Sequence, residues 1–181
     1  GDEIEAAISE TVNIALTSRV RTLISHIKTW GQQNWGKIGW IEELLNDARS
    51  KGTEISCDRY PYIASATDLD IILPNWVYEG GVTEERKKLK DPLTRERIVK
   101  DMVQGTERPG FWESIMISSV FNEKKKQYEG MTVAEIAKTL KMPPLEFVLD
   151  LLCEEECKVS ALFFSMSEEN LDKILNWDFV M

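Results

Sequence analysis

Hydrophobic positions at the start of the chain alternate between helical and strand-like spacing. Apolar residues at intervals of three and four predict a helix over residues 3–17, and the β-branched, increasingly apolar run over 18–26 predicts a short buried strand. A loop rich in tryptophan and glycine at 27–37 precedes an amphipathic helix over 38–49, and residues 53–58 predict a second strand. Helix, strand, loop, helix and strand joined by short connections are typical of an α/β fold with a parallel sheet.

The middle of the chain, residues 63–130, follows a different pattern. Mixed-charge amphipathic stretches predict helices near 83–90 and 93–104, while residues 114–119 predict a strand. Beyond this segment the α/β pattern returns. It predicts helices at 131–140 and 144–153, a strand of the buried parallel kind at 159–165, a last helix ending near 175, and the first residues of another strand at 179–181.

Composition narrows the possible functions. The 181 residues carry 31 acidic and 22 basic side chains, and the net charge of −9 argues against a nucleic-acid partner. The chain has no apolar run of roughly 18 residues and no signal-peptide pattern, so we expect no membrane span and a cytoplasmic location. Three cysteines are too few for a disulfide framework and are expected as free thiols. One histidine excludes a site that takes two imidazoles from this chain alone.

That histidine lies at the C-terminal end of the first predicted strand. Catalytic groups collect at the carboxyl edge of parallel sheets, so His26 is a candidate metal ligand, with a hydrogen-bonded loop histidine as the alternative. Asp58 lies at the end of the second predicted strand. It could bind a metal, orient the histidine or act as a base; the alternatives are a pair with a neighbouring arginine or a turn cap. A catalytic zinc site normally takes three protein ligands, so the other ligands would lie outside this chain or in a second copy.

Four short motifs follow one another along the chain. They are, in order, Ser25-His26-Ile27-Lys28, Asn34-Trp35-Gly36, Asp58-Arg59-Tyr60-Pro61-Tyr62 and Leu73-Pro74-Asn75-Trp76-Val77-Tyr78-Glu79-Gly80-Gly81. Together they closely resemble the N-acyl-D-amino-acid deacylase (D-aminoacylase) family of the amidohydrolase superfamily. Later segments agree, among them Asp91-Pro92 and Phe164-Ser165-Met166-Ser167, so the resemblance covers nearly the whole chain.

This resemblance implies a metal-dependent (β/α)8-barrel hydrolase, typically a zinc enzyme, that cleaves the amide bond of N-acyl-D-amino acids. A full barrel takes about 250 residues, so the chain would be the C-terminal half of one. The expected fold is a partial (β/α)8 TIM barrel with strands five to seven and the start of strand eight. It would be a single α/β domain over residues 1–181, with residues 63–130 as an inserted, mostly helical segment.

The resemblance also assigns the site residues. It places His26 at the end of strand five as a metal ligand, and Asp58 near the end of strand six, where the superfamily usually has a second histidine ligand. Residues 159–165 would form strand seven and 179–181 would open strand eight, so the catalytic strand-eight aspartate would lie beyond Met181. No catalytic residue is therefore expected in this chain. Its candidate substrate-binding residues are Lys28, Tyr60, Tyr62 and Trp76.

Three hypotheses follow. The first is a fragment of a zinc-dependent deacylase that acts on an N-acyl-D-amino acid in the intact enzyme, with weak or absent zinc binding and no turnover by the chain alone. The second is a non-catalytic module of the same fold that binds a partner or ligand through the tryptophan-rich loop 28–40. The third is self-association through exposed barrel edges, because an open strand edge presents unpaired backbone groups. None of them involves nucleic acid or a membrane.

Overall fold

The structure, a computed structural model, describes residues 3–181, which form two compact units. The first unit holds residues 3–64 and 165–181, and the second holds residues 65–164. In chain order the elements are α1 (Ile4–Ser18), β1 (Thr22–Ile24), α2 (Ile38–Ser50), β2 (Ile55–Cys57), β3 (Ala64–Asp68), α3 (Asn75–Tyr78), α4 (Val82–Lys90), α5 (Pro92–Thr106), β4 (Ile115–Ser119), α6 (Val133–Leu140), α7 (Pro144–Glu154), β5 (Ser160–Phe164) and α8 (Glu168–Leu175). Short 3-10 helices lie at Gln32–Lys37, Leu69–Ile72 and Glu123–Tyr128.

The first unit is built on parallel strands, as the order of its elements predicts. In β1 and β2, Thr22 lies opposite Ile55 and Ile24 lies opposite Cys57. A parallel bridge then joins Cys57 to Val180, so three parallel segments lie side by side. Helices α1 and α2 bury their apolar faces in the core of this unit, because their apolar residues recur on one side. The core residues include Ile8, Val12, Ile41, Leu45, Ile55, Ile174 and Phe179.

The first strand is shorter and more exposed than its pattern predicts. A buried strand was expected over residues 18–26, but β1 covers only Thr22–Ile24, and Leu23 is 50% exposed. Arg19 takes a left-handed conformation with φ of 53° directly after α1, so the residues that follow turn the chain before it extends. Within the described residues β1 pairs only with β2 and has one free edge. Burial of a strand depends on what covers it, which the apolar run alone does not encode.

The second unit contains a separate three-stranded sheet in the order β3-β5-β4. Strands β4 and β5 are antiparallel, with Ile115 opposite Phe163 and Ile117 opposite Ala161. The parallel strand predicted at 159–165 is therefore wrong in its pairing: β5 exists, but it lies in this sheet and not beside β2. Its side chains alternate between buried and part-exposed, as in an antiparallel strand with one covered face. A short apolar run fits both kinds of sheet, which explains the error.

The segment over residues 63–130 is helical for much of its length but also contains strands. Helices α3, α4 and α5 lie in it, as do β4 and the unpredicted β3. Across residues 3–181, no helix has both the length and the apolar character needed to cross a bilayer.

Candidate active site

The carboxyl ends of β1 and β2 bring Asp58 against the residues that follow β1. The backbone N–H of His26 donates to Asp58 Oδ1 at 2.5 Å, and the Ser25 hydroxyl donates to Oδ2 at 2.9 Å. The backbones are also joined, because Asp58 N–H donates to Ile24 O at 3.2 Å and Ile27 N–H donates to Asp58 O at 3.0 Å. Hydrogen bonds of the Asp58 carboxylate and backbone thus join the carboxyl ends of β1 and β2.

His26 has an unusual backbone conformation, with φ of 54°. Non-glycine residues rarely adopt a positive φ, and such strain clusters at functional sites when the surroundings hold it. Here the short hydrogen bond from its N–H to Asp58 holds it. The imidazole is 65% exposed, and its Nε2 lies 4.0 Å from Asp58 Oδ1, so a ligand in solution can reach the ring.

The charge of Asp58 is stabilised by its neighbours. The backbone hydrogen bond from His26 is the largest cause that lowers the pKa of Asp58, followed by the Ser25 hydroxyl and the charges of His26 and Lys28. Asp58 is therefore ionised at neutral pH. The direct hydrogen bond between Asp58 and His26 is made by the backbone N–H of His26, while the imidazole Nε2 lies 4.0 Å from the carboxylate.

Lys28 and Tyr60 extend the cluster. Lys28 Nζ donates to His26 O at 2.8 Å and lies 5.5 Å from the centre of the Tyr60 ring. The His26 and Tyr60 rings meet edge to face, with their centres 5.4 Å apart and an interplanar angle of 69°. The structure therefore brings His26, Lys28, Asp58 and Tyr60 together.

The other two predicted substrate-binding residues have different surroundings. Tyr62 is exposed, and its carbonyl accepts a hydrogen bond from Arg59 at 2.7 Å. Trp76 belongs to the second unit, where its Nε1 donates to Asp101 Oδ2 at 3.0 Å and the Arg97 guanidinium stacks 4.0 Å from the ring.

Two residues with a direct role in this geometry were missed by the sequence reasoning. Ser25 was visible in its motif, and its hydroxyl is a donor to Asp58. Arg59 lies in the Asp-x-Tyr-Pro-Tyr motif and stacks on Tyr60, with its Cζ 4.1 Å from the ring centre. Nothing in the motif indicates that this arginine is buried, because arginines are mostly exposed.

The described residues offer few side chains of the kind that bind zinc. The exposed imidazole of His26 suits zinc, which favours nitrogen ligands. Over residues 3–181, however, no group of three or more histidine, cysteine, aspartate or glutamate side chains could hold a metal ion. In the described part of the chain, His26 is thus a single donor of a suitable kind and does not form a metal site by itself.

The tryptophan-rich loop of the second hypothesis is anchored within its own unit. Trp35 Nε1 and Gly31 N–H donate to Ser165 O at 3.1 and 2.9 Å. The Asn170 amide donates to Trp35 O at 2.8 Å and to Thr29 Oγ1 at 3.0 Å. These contacts give the loop a packing role, and partner binding by it stays a prediction.

Comparison with known proteins identifies relatives in sequence and in fold. No family model matches the chain. An N-acyl-D-glutamate deacylase and a D-aminoacylase of Alcaligenes xylosoxydans xylosoxydans are 35% and 38% identical to it over 69 residues, which are 38% of this chain and 14% of each relative. The crystal structure of N-acyl-D-glutamate deacylase from Bordetella bronchiseptica, complexed with zinc and a phosphonate inhibitor, superposes with a TM-score of 0.67 at 22% identity, over 99% of this chain.

A crystal structure of D-aminoacylase, described as defining a novel subset of amidohydrolases, matches the whole chain with a TM-score of 0.63 at 22% identity. The chain spans only 29% of the length of these two solved proteins. Its mixed α/β fold thus resembles part of a deacylase structure. The relatives found by both comparisons are the N-acyl-D-amino-acid deacylases of the amidohydrolase superfamily, the family that the motifs of the chain resemble.

Proposed function

We propose that this chain forms part of the active site of a metal-dependent N-acyl-D-amino-acid deacylase. The observation that carries the proposal is the cluster at the carboxyl ends of two parallel strands, where Asp58 holds His26, and Lys28 and Tyr60 lie beside the imidazole. Active sites of (β/α)8 barrels lie at this edge. The sequence and fold relatives are deacylases, which supports the same reading.

We further propose that the first unit is a run of consecutive barrel strands. Neighbouring strands of a (β/α)8 barrel follow each other in sequence order. Strands β1 and β2 and the bridge at Val180 lie side by side. If residues 179–181 open strand eight, as the motifs imply, then β1 and β2 are strands six and seven. His26 would then end strand six, one place later than the sequence analysis assigned it.

On this assignment β5 is not a barrel strand. The second unit, residues 65–164, would be an insertion between strand seven and the helix that precedes strand eight. The inserted segment would therefore be longer than the predicted 63–130. The antiparallel pairing of β4 with β5 supports this proposal, because barrel neighbours are parallel.

In the proposed site each residue has a separate task. A bound zinc ion would polarise the amide carbonyl and activate a water molecule. His26 offers an imidazole nitrogen as one ligand, while Asp58 fixes its backbone. Lys28 supplies a positive charge that suits the carboxylate of an N-acyl-D-amino acid, and Tyr60 forms a wall beside it. The remaining ligands and the catalytic acid would lie in residues outside this chain. We also propose a cytoplasmic location.

Zinc titration of the purified chain tests the role of His26. The chain has one histidine, so its imidazole NMR signals are unambiguous. We expect zinc to perturb these signals first, with an affinity weaker than micromolar because one imidazole completes no zinc site. His26→Asn should abolish the effect. Zinc binding that leaves the His26 signals unchanged would contradict the proposed role of His26. The fragment hypothesis would be contradicted by submicromolar zinc binding, or by release of a D-amino acid by the chain alone.

A further inference from the structure

Arg59 is a buried cation whose side-chain partners carry no charge. It is 6% exposed, and its Nη2 donates to Tyr62 O at 2.7 Å and contacts Met166 Sδ at 3.1 Å. Its Nε and Nη1 are buried and have no hydrogen-bond partner within the described residues. An arginine in the interior usually pairs with a carboxylate, because burial of an unpaired charge is unfavourable.

This burial is unfavourable for stability, so the position of the guanidinium needs another explanation. Replacement of a buried ion pair by apolar side chains of similar volume is often neutral or stabilising. Within the described residues Arg59 has no ion-pair partner that its replacement would leave unpaired. Buried polar groups without a hydrogen-bond partner are rare in native structures, and a role at a functional site is one explanation for them. The neighbours of Arg59 show which site this would be.

The Arg59 guanidinium stacks on the Tyr60 ring, which in turn contacts His26 in the candidate site. Its Cζ lies 4.1 Å from the centre of the Tyr60 ring, at the distance of a cation–π contact. The same ring meets His26 edge to face at 5.4 Å and lies 5.5 Å from Lys28 Nζ. Within residues 3–181 no hydrogen bond, ion pair or ring contact joins Arg59 to His26 or Lys28, so its influence on them passes through the tyrosine ring.

The backbone of Arg59 ties the same layer to the sheet. Its N–H donates to Met181 O at 3.2 Å, in the parallel segment beside β2. The Tyr60 hydroxyl lies 3.9 Å from Met166 Sδ, the sulfur atom that Arg59 also contacts. The ring is thus held on its face by Arg59 and near its hydroxyl by Met166.

We propose that Arg59 is a positioning residue, which fixes the Tyr60 ring against His26 and Lys28 at the expense of stability in the first unit. The inference rests on the proposed function in so far as His26 and Lys28 serve the site. It goes beyond that function because it assigns a task to a residue that touches neither metal nor substrate there.

Arg59→Met in the 181-residue chain separates positioning from simple anchoring. Methionine fills a similar length without charge, so we expect the melting temperature to stay the same or rise. We also expect the nuclear Overhauser contact between the His26 and Tyr60 rings to be lost, together with the ring-current shift of the imidazole protons. Both signals are read in metal-free protein, so they are independent of whether His26 binds zinc.

Arg49→Met is the matched control. Arg49 also stacks on an aromatic ring, with its Cζ 4.8 Å from the centre of Phe179, and its Nη1 also donates to a backbone carbonyl, Ile55 O, at 2.8 Å. Unlike Arg59 it has a carboxylate nearby, since its Nη2 lies 3.9 Å from Asp178. This control should lower the melting temperature and leave the contact between the His26 and Tyr60 rings intact.

The proposal is overturned if the ring contact persists in Arg59→Met, whatever the melting temperature. A persisting contact with a lowered melting temperature, as in Arg49→Met, would make Arg59 an anchor only. If Arg59→Met does not fold, Arg59→Lys takes its place. Lysine keeps the charge but lacks the planar face that stacks on the ring. A weakened ring contact in this variant supports the proposal, and an unchanged contact refutes it.

Discussion

The amide of Asn170 holds the loop that follows β1, and its removal tests the packing of the first unit. Asn170 lies on α8, is 6% exposed, and donates from Nδ2 to Trp35 O at 2.8 Å and to Thr29 Oγ1 at 3.0 Å. Asn170→Ala deletes both donors. It leaves the Trp35 carbonyl without this partner, in a loop that also depends on contacts to Ser165 O.

The magnitude follows from these two hydrogen bonds. Each contributes about 0.5–1.5 kcal/mol net, and a buried acceptor left unpaired costs about 1–3 kcal/mol. The loss of stability is therefore expected at about 2–4 kcal/mol, allowing for partial relaxation of the loop. Asn176→Ala is the control, because the Asn176 amide donates at 2.7 Å to Asp172 O at the exposed end of the same helix. We expect about 0.5 kcal/mol or less from this surface change.

Native-state hydrogen exchange measures the difference directly. The amide of Cys57 donates to Phe179 O at 2.9 Å in the core of the first unit, so its opening free energy reports on that unit. Asn170→Ala should lower this free energy, and Asn176→Ala should leave it nearly unchanged. If both variants have the same small effect, the loop does not depend on Asn170 and the reasoning from its contacts is refuted.

Three further predictions concern the reactivity of the thiols, the pH dependence of stability and the sheet edge. Burial raises the pKa of Cys57 and of Cys157 from 9.0 to about 12. Iodoacetamide should therefore label the half-buried Cys153 first. Faster labelling of either buried thiol would contradict this. The unfolded chain loses the thiol protons near pH 9, whereas the folded chain holds them to about pH 12. The free energy of unfolding should therefore be unaffected by these thiols below pH 9 and fall as the pH rises from 9 to 12. Within the described residues β1 has a free edge, and Leu23 is 50% exposed. We therefore expect the chain to self-associate in light scattering, and we expect Leu23→Lys to weaken this association. A monomer at all concentrations would contradict the prediction.

The long elements of the chain were predictable because their amphipathic spacing is encoded locally. Helix α1 covers Ile4–Ser18 where residues 3–17 were predicted, and α2 covers Ile38–Ser50 where 38–49 were predicted. The partner and direction of β5 were not predictable, because an apolar run does not specify which strand it pairs with. The exposure of β1 also escaped prediction, since it depends on what covers the strand.

The proximity of His26 and Asp58 was predictable from the sequence, whereas the surroundings of Arg59 and Trp76 were not. The rule that parallel strands end at one edge predicted that His26 and Asp58 lie close together, and their side chains are 4.0 Å apart. Their roles stay predictions. Arg59 could not be recognised, because a motif does not indicate that a charged side chain is buried beneath a ring. The place of Trp76 in the second unit depends on the fold of an entire segment.

The proposed role of His26 as a metal ligand in a deacylase site can be tested in an intact enzyme. The most direct measurement replaces the matching segment of the Bordetella N-acyl-D-glutamate deacylase by this chain and assays zinc-dependent release of D-glutamate. We expect the chimaera to be active and its His26→Asn version to be inactive, with both proteins folded. Equal activity of the two versions, or a folded and zinc-loaded chimaera without activity, would contradict it.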